Sequence, residues 1–194
     1  MKEKELFQRF RSAIVHAARL IFTDFRTQYQ EERFYSFAIY ADNYAGGMNP
    51  ATQTEEAWQR ALATNTMYGK DELGILRYCP DEWDMDYCGV PHHKKEWLDA
   101  IRLIEPILDD ENLSWEQAVR PTFESMIEAL AELDADGFFG RGSEREEITL
   151  MIWITDSSLA EEWWAHSIKR LNSDAVYRRF IASGIPECYT AQVR

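Results

Sequence analysis

Apolar residues near the start of the chain follow a helical spacing. They recur at steps of three and four residues from Leu6 to Phe25, which places them along one face of a long amphipathic helix. The arginines of this segment lie mostly at the other positions. Because such a helix has little stability until its apolar face is packed, we expect it to be part of the core.

Three segments have the composition of β-strands. Arg33–Asp42 (RFYSFAIYAD) is rich in aromatic residues and precedes a Gly-Gly turn, as expected for a core strand. Ile148–Thr155 (ITLMIWIT) is apolar throughout, which predicts the central strand of a sheet. A shorter strand is predicted at Gly74–Cys79, because the following Pro80 cannot continue a ladder.

The remaining pattern is helical. Thr52 and Glu55 form a capping box that predicts the start of one helix, and Ser114 and Gln117 form a second. Pro121 is expected to divide the helix that follows Ser114. Further helices are predicted over Lys94–Leu108, around Trp163 and Trp164, and over Asn172–Ile181. Residues 1–194 are therefore predicted to form one α+β domain, with helices packed around a small, mainly antiparallel sheet.

Composition narrows the class of protein. With 194 residues, 45 % of them hydrophobic, the chain is large enough to bury one core. The sequence has no apolar run long enough for a membrane span, and its charged start, MKEKELFQRF, does not resemble a signal peptide. These features predict a cytoplasmic protein with no membrane partner. A pI near 4.8 and scattered basic residues argue against nucleic-acid binding.

The sequence carries no recognisable catalytic or metal-binding motif. Cys79, Cys88 and Cys188 are an odd set at irregular spacing. Cys79 and Cys88 precede His92 and His93, but their spacing lacks the short paired loops of a zinc site. A G-x-S-x-G nucleophile motif and a complete EF-hand loop are both missing. We therefore expect no metal and no cofactor, and a non-catalytic role is favoured over an enzymatic one.

Acidic residues are concentrated in one stretch. Between Glu105 and Glu147 there are thirteen acidic and three basic residues, so this stretch holds −10 of the net charge of −13. Within it, Glu124, Glu128 and Glu132 follow one another at i, i+4 with no basic residue in the row. Such repulsion costs an isolated helix about 0.2–0.5 kcal/mol per pair. The row is either a solvated face that aids solubility or a docking surface for a basic protein.

Four segments together suggest a family. The strand FYSFAIYAD, the segment NPATQTEEAW, the sequence RYCPDEW and the late strand ITLMIWITDSS resemble the bacterial domain of unknown function 4303 family. The resemblance implies a small bacterial cytoplasmic protein and no established reaction. By analogy, some similar acidic families act as immunity proteins that neutralise toxins. The positions that carry the resemblance are Tyr40, Asp42, Asn49, Pro50, Thr54, Glu55, Arg77, Pro80, Glu82, Trp83 and Asp156.

Two functional hypotheses follow from these features. In the first, the chain is a non-catalytic, immunity-like protein-binding module that docks a basic partner on the acidic surface from Glu105 to Asp136, with Glu124, Glu128 and Glu132 as its centre. In the second, it is a small-molecule binder or hydrolase. The second hypothesis requires a rim of side chains at strand ends and loops, formed by Asp42, Glu82, Trp83 and Asp156.

Overall fold

The computed structural model describes residues 3–65, 69, 73–83, 93–155 and 160–183. None of the helices in these ranges combines the length and apolar character that a membrane span requires. The elements in chain order are α1 (Glu3–Gln28), β1 (Phe34–Ala41), β2 (Asn49–Thr54), α2 (Glu55–Thr64), α3 (Leu73–Tyr78), a 3-10 turn (Pro80–Glu82), α4 (Lys94–Leu108), α5 (Trp115–Ala135), α6 (Ser143–Glu146), β3 (Thr149–Ile154), α7 (Ala160–Leu171) and α8 (Asp174–Ile181).

The strands form one three-stranded sheet in the order β2-β1-β3. β1 pairs antiparallel with β2, and Ala38 faces Ala51 in that ladder. β3 pairs parallel with β1, and Met151 faces Ala38. The chain from β2 to α6 connects the two parallel strands, as a parallel pairing requires a long crossover. The predicted α+β class, with helices packed around a small sheet, is confirmed.

β1 is the central strand, so the prediction that Ile148–Thr155 is central was wrong. β3 lies at the edge of the sheet, although all six of its residues are buried. Its outer edge is covered by two side chains, those of Ser167 in α7 and of Asn172 just after α7. Ser167 Oγ lies 3.0 Å from Ile152 N and 3.1 Å from Ile152 O. Asn172 accepts from Leu150 N at 2.9 Å and donates to Leu150 O at 2.7 Å. The apolar sequence of β3 therefore reflects the burial of the strand and of its outer edge, and not a central position in the sheet.

Strand β2 was missed by the sequence analysis. Its sequence, NPATQT, is polar, but Thr52 Oγ1 donates to Ser36 O at 2.8 Å inside the sheet. The capping box at Thr52 was therefore wrong. Helix α2 begins at Glu55, and its N-cap is Thr54, whose hydroxyl accepts from Ala57 N. Pro50 fits this strand because β2 is an edge strand.

Two other expectations about proline and local structure need correction. Gly74–Cys79 is not a strand, because Leu73–Tyr78 forms helix α3; six residues are too few for a periodic pattern to separate the two states. Pro121 does not divide α5, which is continuous. The capping box of Ser114 and Gln117 is confirmed, and Ser114 N donates to Gln117 Oε1 at 3.0 Å.

Helix α1 lies in the core. It packs against α4, α5 and β2, and its residues Phe10, Ile14 and Phe22 are fully buried. The ring of Phe22 meets Phe37 of β1 edge to face, with centroids 5.0 Å apart. Ring pairs of this geometry add to the stabilisation that burial alone provides. The first helix is therefore an integral part of the fold, as its apolar stripe indicates.

The Phe22→Ala substitution is expected to lower the free energy of unfolding by about 3–5 kcal/mol, since it removes a ring from a closely packed core. Phe7→Ala is the matched control, because Phe7 lies on the same helix but is only half-buried. Urea unfolding of both variants tests this expectation. Equal losses for the two substitutions would contradict the central position of Phe22.

Candidate functional site

Asp42 follows β1 and organises the loop after it. Its carboxylate accepts three backbone N–H groups, from Tyr44 at 2.9 Å, Gly46 at 3.0 Å and Gly47 at 2.9 Å. A Cβ at Gly46 or Gly47 would lie 3.3 or 3.2 Å from Asp42 Oδ2, so glycine allows the chain to approach the carboxylate closely. The carboxylate predicted as part of a functional rim thus has a structural role.

Two tryptophans fix the same loop to the helices. Trp97 Nε1 of α4 donates to Met48 O at 2.8 Å, and Trp115 Nε1 of α5 donates to Asn43 O at 3.0 Å. Ala45 is fully buried within the loop and has a φ of 59°. The loop 42–48 is therefore held at both ends and in the middle. The side chain of Tyr44, in contrast, is 70 % exposed.

The parallel strands end at one edge of the sheet. Ala41 and Ile154 are partners in the ladder, and Thr155 N donates to Ala41 O at 2.9 Å. Asp42 and Thr155 therefore lie next to each other, as expected for two parallel strands. Asp156, the other strand-end carboxylate of the predicted rim, lies outside the described residues. The convergence of Asp42 and Asp156 stays a prediction.

The 3-10 turn joins the sheet through a residue that the sequence analysis did not select. Asp81 Oδ2 accepts from Trp153 Nε1 of β3 at 3.2 Å and from Cys79 Sγ at 3.5 Å. Trp83 is buried, at 4 % exposure, and Glu82 is half-buried. Several acidic residues flank Trp83 in the sequence, and the pattern does not indicate that Asp81 is the one that contacts the sheet.

Cys79 is poorly suited to nucleophilic chemistry. Burial, together with the charge of Asp81, raises the pKa of its thiol well above the usual value. The thiolate, which is the reactive form, is therefore scarce near neutral pH. The described part of the chain also contains no group of three or more His, Cys, Asp or Glu side chains that could hold a metal ion. The cluster at the 3-10 turn is best explained as packing of this turn on β3.

A half-buried ion pair connects α2 and α3. The guanidinium of Arg77 binds the carboxylate of Glu55 through two contacts of 3.0 and 2.5 Å. It also lies 4.2 Å from the ring centroid of Tyr35 and 4.1 Å from that of Trp58. Burial alone would lower the pKa of Arg77, but the hydrogen bonds that it donates to Glu55 and Tyr78 raise it overall. These contacts occupy Arg77 fully, so the pair stabilises the fold and leaves no free cation.

The glutamate row of α5 is compensated by other helices. Glu124 contacts His166 Nε2 at 3.1 Å and also pairs with Arg170 of α7. Glu128 lies 3.0 Å from Arg11 of α1, and Glu132 lies 3.6 Å from the same guanidinium. The repulsion within this row is therefore offset by tertiary contacts and not by local ones. Its cations come from segments distant in sequence, which a pattern within one helix does not show.

Three of the ten other carboxylates in the acidic stretch are also paired. The pairs are Glu116 with Arg120, Asp134 with Arg145, and Asp136 with Arg19. The acidic residues at the connection between α4 and α5 differ from these in their ion pairing. There Glu105, Asp109, Asp110 and Glu111 are exposed and form no ion pair with any residue that the structure describes. We call these four residues the acidic turn.

Two carboxylates of the acidic turn, Glu105 and Asp109, lie where negative charge does not favour the fold. Glu105 lies in the last turn of α4, which has no basic residue, and Asp109 is its C-cap. Carboxylates at a helix C-terminus are unfavourable because the carbonyl end of the helix dipole is negative. Of the four side chains of the acidic turn, Asp110 alone forms hydrogen bonds within the described part of the chain, accepting from Asn112 N at 3.0 Å and Asn112 Nδ2 at 2.8 Å. These bonds lower the pKa of Asp110.

A surface groove of about 730 Å³ lies between α1 and α5. Its charged side chains include Arg11, Arg120, Glu124 and Glu128, and each of these four is engaged in the ion pairs between helices or within α5. The groove therefore shows no nucleophile with an adjacent base and no free carboxylate pair. Its geometry does not favour catalysis over packing of the two helices.

Replacing Glu124, Glu128 and Glu132 together by Gln is expected to lower the free energy of unfolding by about 1–3 kcal/mol, since several partly exposed ion pairs are lost. The control variant Glu5→Gln/Glu31→Gln/Glu147→Gln removes the same charge from exposed carboxylates that have no ion pair in the described part of the chain. A row variant as stable as this control in urea unfolding would show that the pairs contribute nothing.

The Asp42→Ala substitution is expected to cost about 1–3 kcal/mol, because it leaves backbone donors of the loop without their acceptor. Asp42→Asn retains one carbonyl acceptor and should cost less. Thermal unfolding of both variants measures the difference. An alanine variant with wild-type stability would rule out the organising role of this carboxylate.

The comparisons with known proteins agree with the resemblance seen in the sequence. No curated protein and no solved structure gives a significant match to the chain. A family model described as Domain of unknown function (DUF4303) matches residues 14–173, which extends from the second half of α1 to the end of α7. Because this match covers most of the 194 residues, the chain belongs to the DUF4303 family.

Proposed function

We propose that the protein is a non-catalytic, immunity-like binding module that acts in the cytoplasm and docks a basic protein on its acidic turn. The observation that carries this proposal is a difference in ion pairing between the carboxylates of α5 and those of the acidic turn. Carboxylates along α5 are paired with arginines of α5 itself or of other helices, whereas those of the acidic turn are exposed and without ion pairs among the described residues. Negative charge placed at a structural cost and left free is available to a partner.

The acidic turn replaces the glutamate row as the proposed centre of the docking surface. Glu124, Glu128 and Glu132 already contact Arg11, Arg170 and His166. A basic partner that bound the row would have to displace these cations, and the gain in electrostatic energy would be correspondingly small. The acidic turn needs no such exchange, so its field acts on an approaching partner directly.

A carboxylate rim remains the second candidate. The parallel pairing of β1 and β3 supports it, because ligands of open sheets containing parallel strands commonly bind beyond the carboxyl ends of those strands. The engagement of Asp42 with three backbone amides weakens it. A rim enzyme predicts loss of a measurable turnover in Asp42→Asn, whereas a binding module predicts no turnover to lose.

The acidic turn is tested by the variant Glu105→Gln/Asp109→Asn/Glu111→Gln, which spares the structural carboxylate of Asp110. Partners are captured from extracts of the native host, and association with a captured basic protein is then measured by biolayer interferometry. We expect the on-rate to fall about tenfold at low salt and its salt dependence to shrink, because the steering field is reduced. The stability of this variant should be equal to or above that of the wild type.

The variant Glu5→Gln/Glu31→Gln/Glu147→Gln changes the net charge equally but leaves the acidic turn intact. It should keep the wild-type on-rate and most of the salt dependence. If the two variants associated at equal rates, net charge and not the acidic turn would govern association, and the proposed docking surface would be refuted.

A further inference from the structure

We propose that Tyr44 is the contact residue of this docking surface and stacks on an arginine side chain of the basic partner. The inference rests on the proposed function, and it adds a residue and a mode of recognition. Tyr44 is 70 % exposed, whereas the other exposed large hydrophobic residues in the described part of the chain, Leu98 and Ile181, reach 41 % and 40 %. The exposure alone decides nothing, because single exposed apolar residues are common.

The setting of Tyr44 distinguishes it from an incidental surface residue. The residues around it are fixed: Asp42 binds the backbone N–H of Tyr44 itself, Ala45 is fully buried, and Met48 is 1 % exposed. The ring therefore projects from a backbone that has little freedom left to lose. A contact residue presented in this way binds with a small entropic cost, and tyrosine is among the residues that most often dominate binding energy at interfaces.

The loop that carries Tyr44 is connected to the acidic turn. Asn43 O accepts from the indole of Trp115 at 3.0 Å, and Trp115 is the first residue of α5, four positions after Glu111 in the sequence. The backbone next to Tyr44 thus contacts the first residue of the helix that follows the acidic turn. In the proposed surface, the ring of Tyr44 and the carboxylates of the acidic turn contact the same partner.

The chemistry of this region fits arginine. The face of a tyrosine ring attracts a guanidinium, which is planar and stacks on it, and carboxylates bind a guanidinium through two hydrogen bonds. The chain shows the same combination within its own fold, where the half-buried Arg77 stacks on Tyr35 at 4.2 Å and binds the carboxylate of Glu55. At the surface, Tyr44 and the acidic turn offer the ring and the carboxylates.

The test uses a capped hexa-arginine peptide as the probe and the full chain as the receptor. Affinity is measured by calorimetry at low salt for the wild type, Tyr44→Ala, Tyr44→Phe and Ile181→Ala. Tyr44→Ala should weaken binding about two- to fivefold, the range expected for loss of one exposed cation–π contact. Tyr44→Phe keeps the ring and should bind like the wild type. Ile181→Ala removes a comparable exposed apolar side chain on α8 and should also change nothing.

The outcomes separate this inference from the proposed function. Unchanged affinity in Tyr44→Ala, together with weaker binding in Glu105→Gln/Asp109→Asn/Glu111→Gln, would overturn the role of Tyr44 and leave the acidic turn supported. Weaker binding in Tyr44→Ala with no effect of the charge variant would support the tyrosine contact and refute the acidic turn. Failure of the wild type to bind the peptide would refute both. Amide chemical shifts of the wild type should change in residues 42–48 and 109–111 when the peptide is added.

Discussion

The burial of α1 determines much of the rest of the structure. Its apolar face meets the sheet through the contact of Phe22 with Phe37 and with Phe139, whose ring centroid lies 6.1 Å from that of Phe22. Once this face is buried, the arginines of the helix project beside α5 and the turn after it. Arg11 and Arg19 then reach Glu128 and Asp136. The packing of apolar groups thus determines which acidic residues form ion pairs.

Two indole groups fix the loop after β1 to helices α4 and α5. Trp97 and Trp115 lie on α4 and α5, and each donates one hydrogen bond to the loop after β1. Each indole places its apolar rings against the protein interior and its single N–H at the boundary. The loop geometry is therefore inherited from the helix packing. This connection explains how a surface region can be rigid although it lies outside every helix and strand.

The sequence predicted the elements whose pattern is strong and local. The long stripe of α1, the aromatic strand β1 and the capping box at Ser114 all reflect interactions within a few residues. β2 was missed because its polar residues are satisfied by a neighbouring strand, as Thr52 is by Ser36. The partners of the glutamate row were missed for a similar reason, since Arg11 and Glu128 are 117 positions apart. Such contacts exist only after tertiary packing.

The same limit applies to the candidate site. Asp42 was correctly identified as a strand-end carboxylate, but its three amide partners depend on the path of the following loop. Asp81 was not selected, because its contact with Trp153 spans 72 positions. Tyr44 gave no signal at all, since exposure of a single side chain is a property of the folded molecule.

The coverage of β3 by Ser167 and Asn172 has a consequence for how any partner can be recognised. Exposed strand edges let another protein extend a sheet by adding a strand of its own. Here the backbone groups of Leu150 and Ile152 that such a strand would use are already bonded to side chains. Strand addition at β3 would require these bonds to break. A partner on this side of the molecule must therefore be recognised through side-chain contacts. Copies of the chain cannot polymerise by pairing strands at this edge while these bonds are in place.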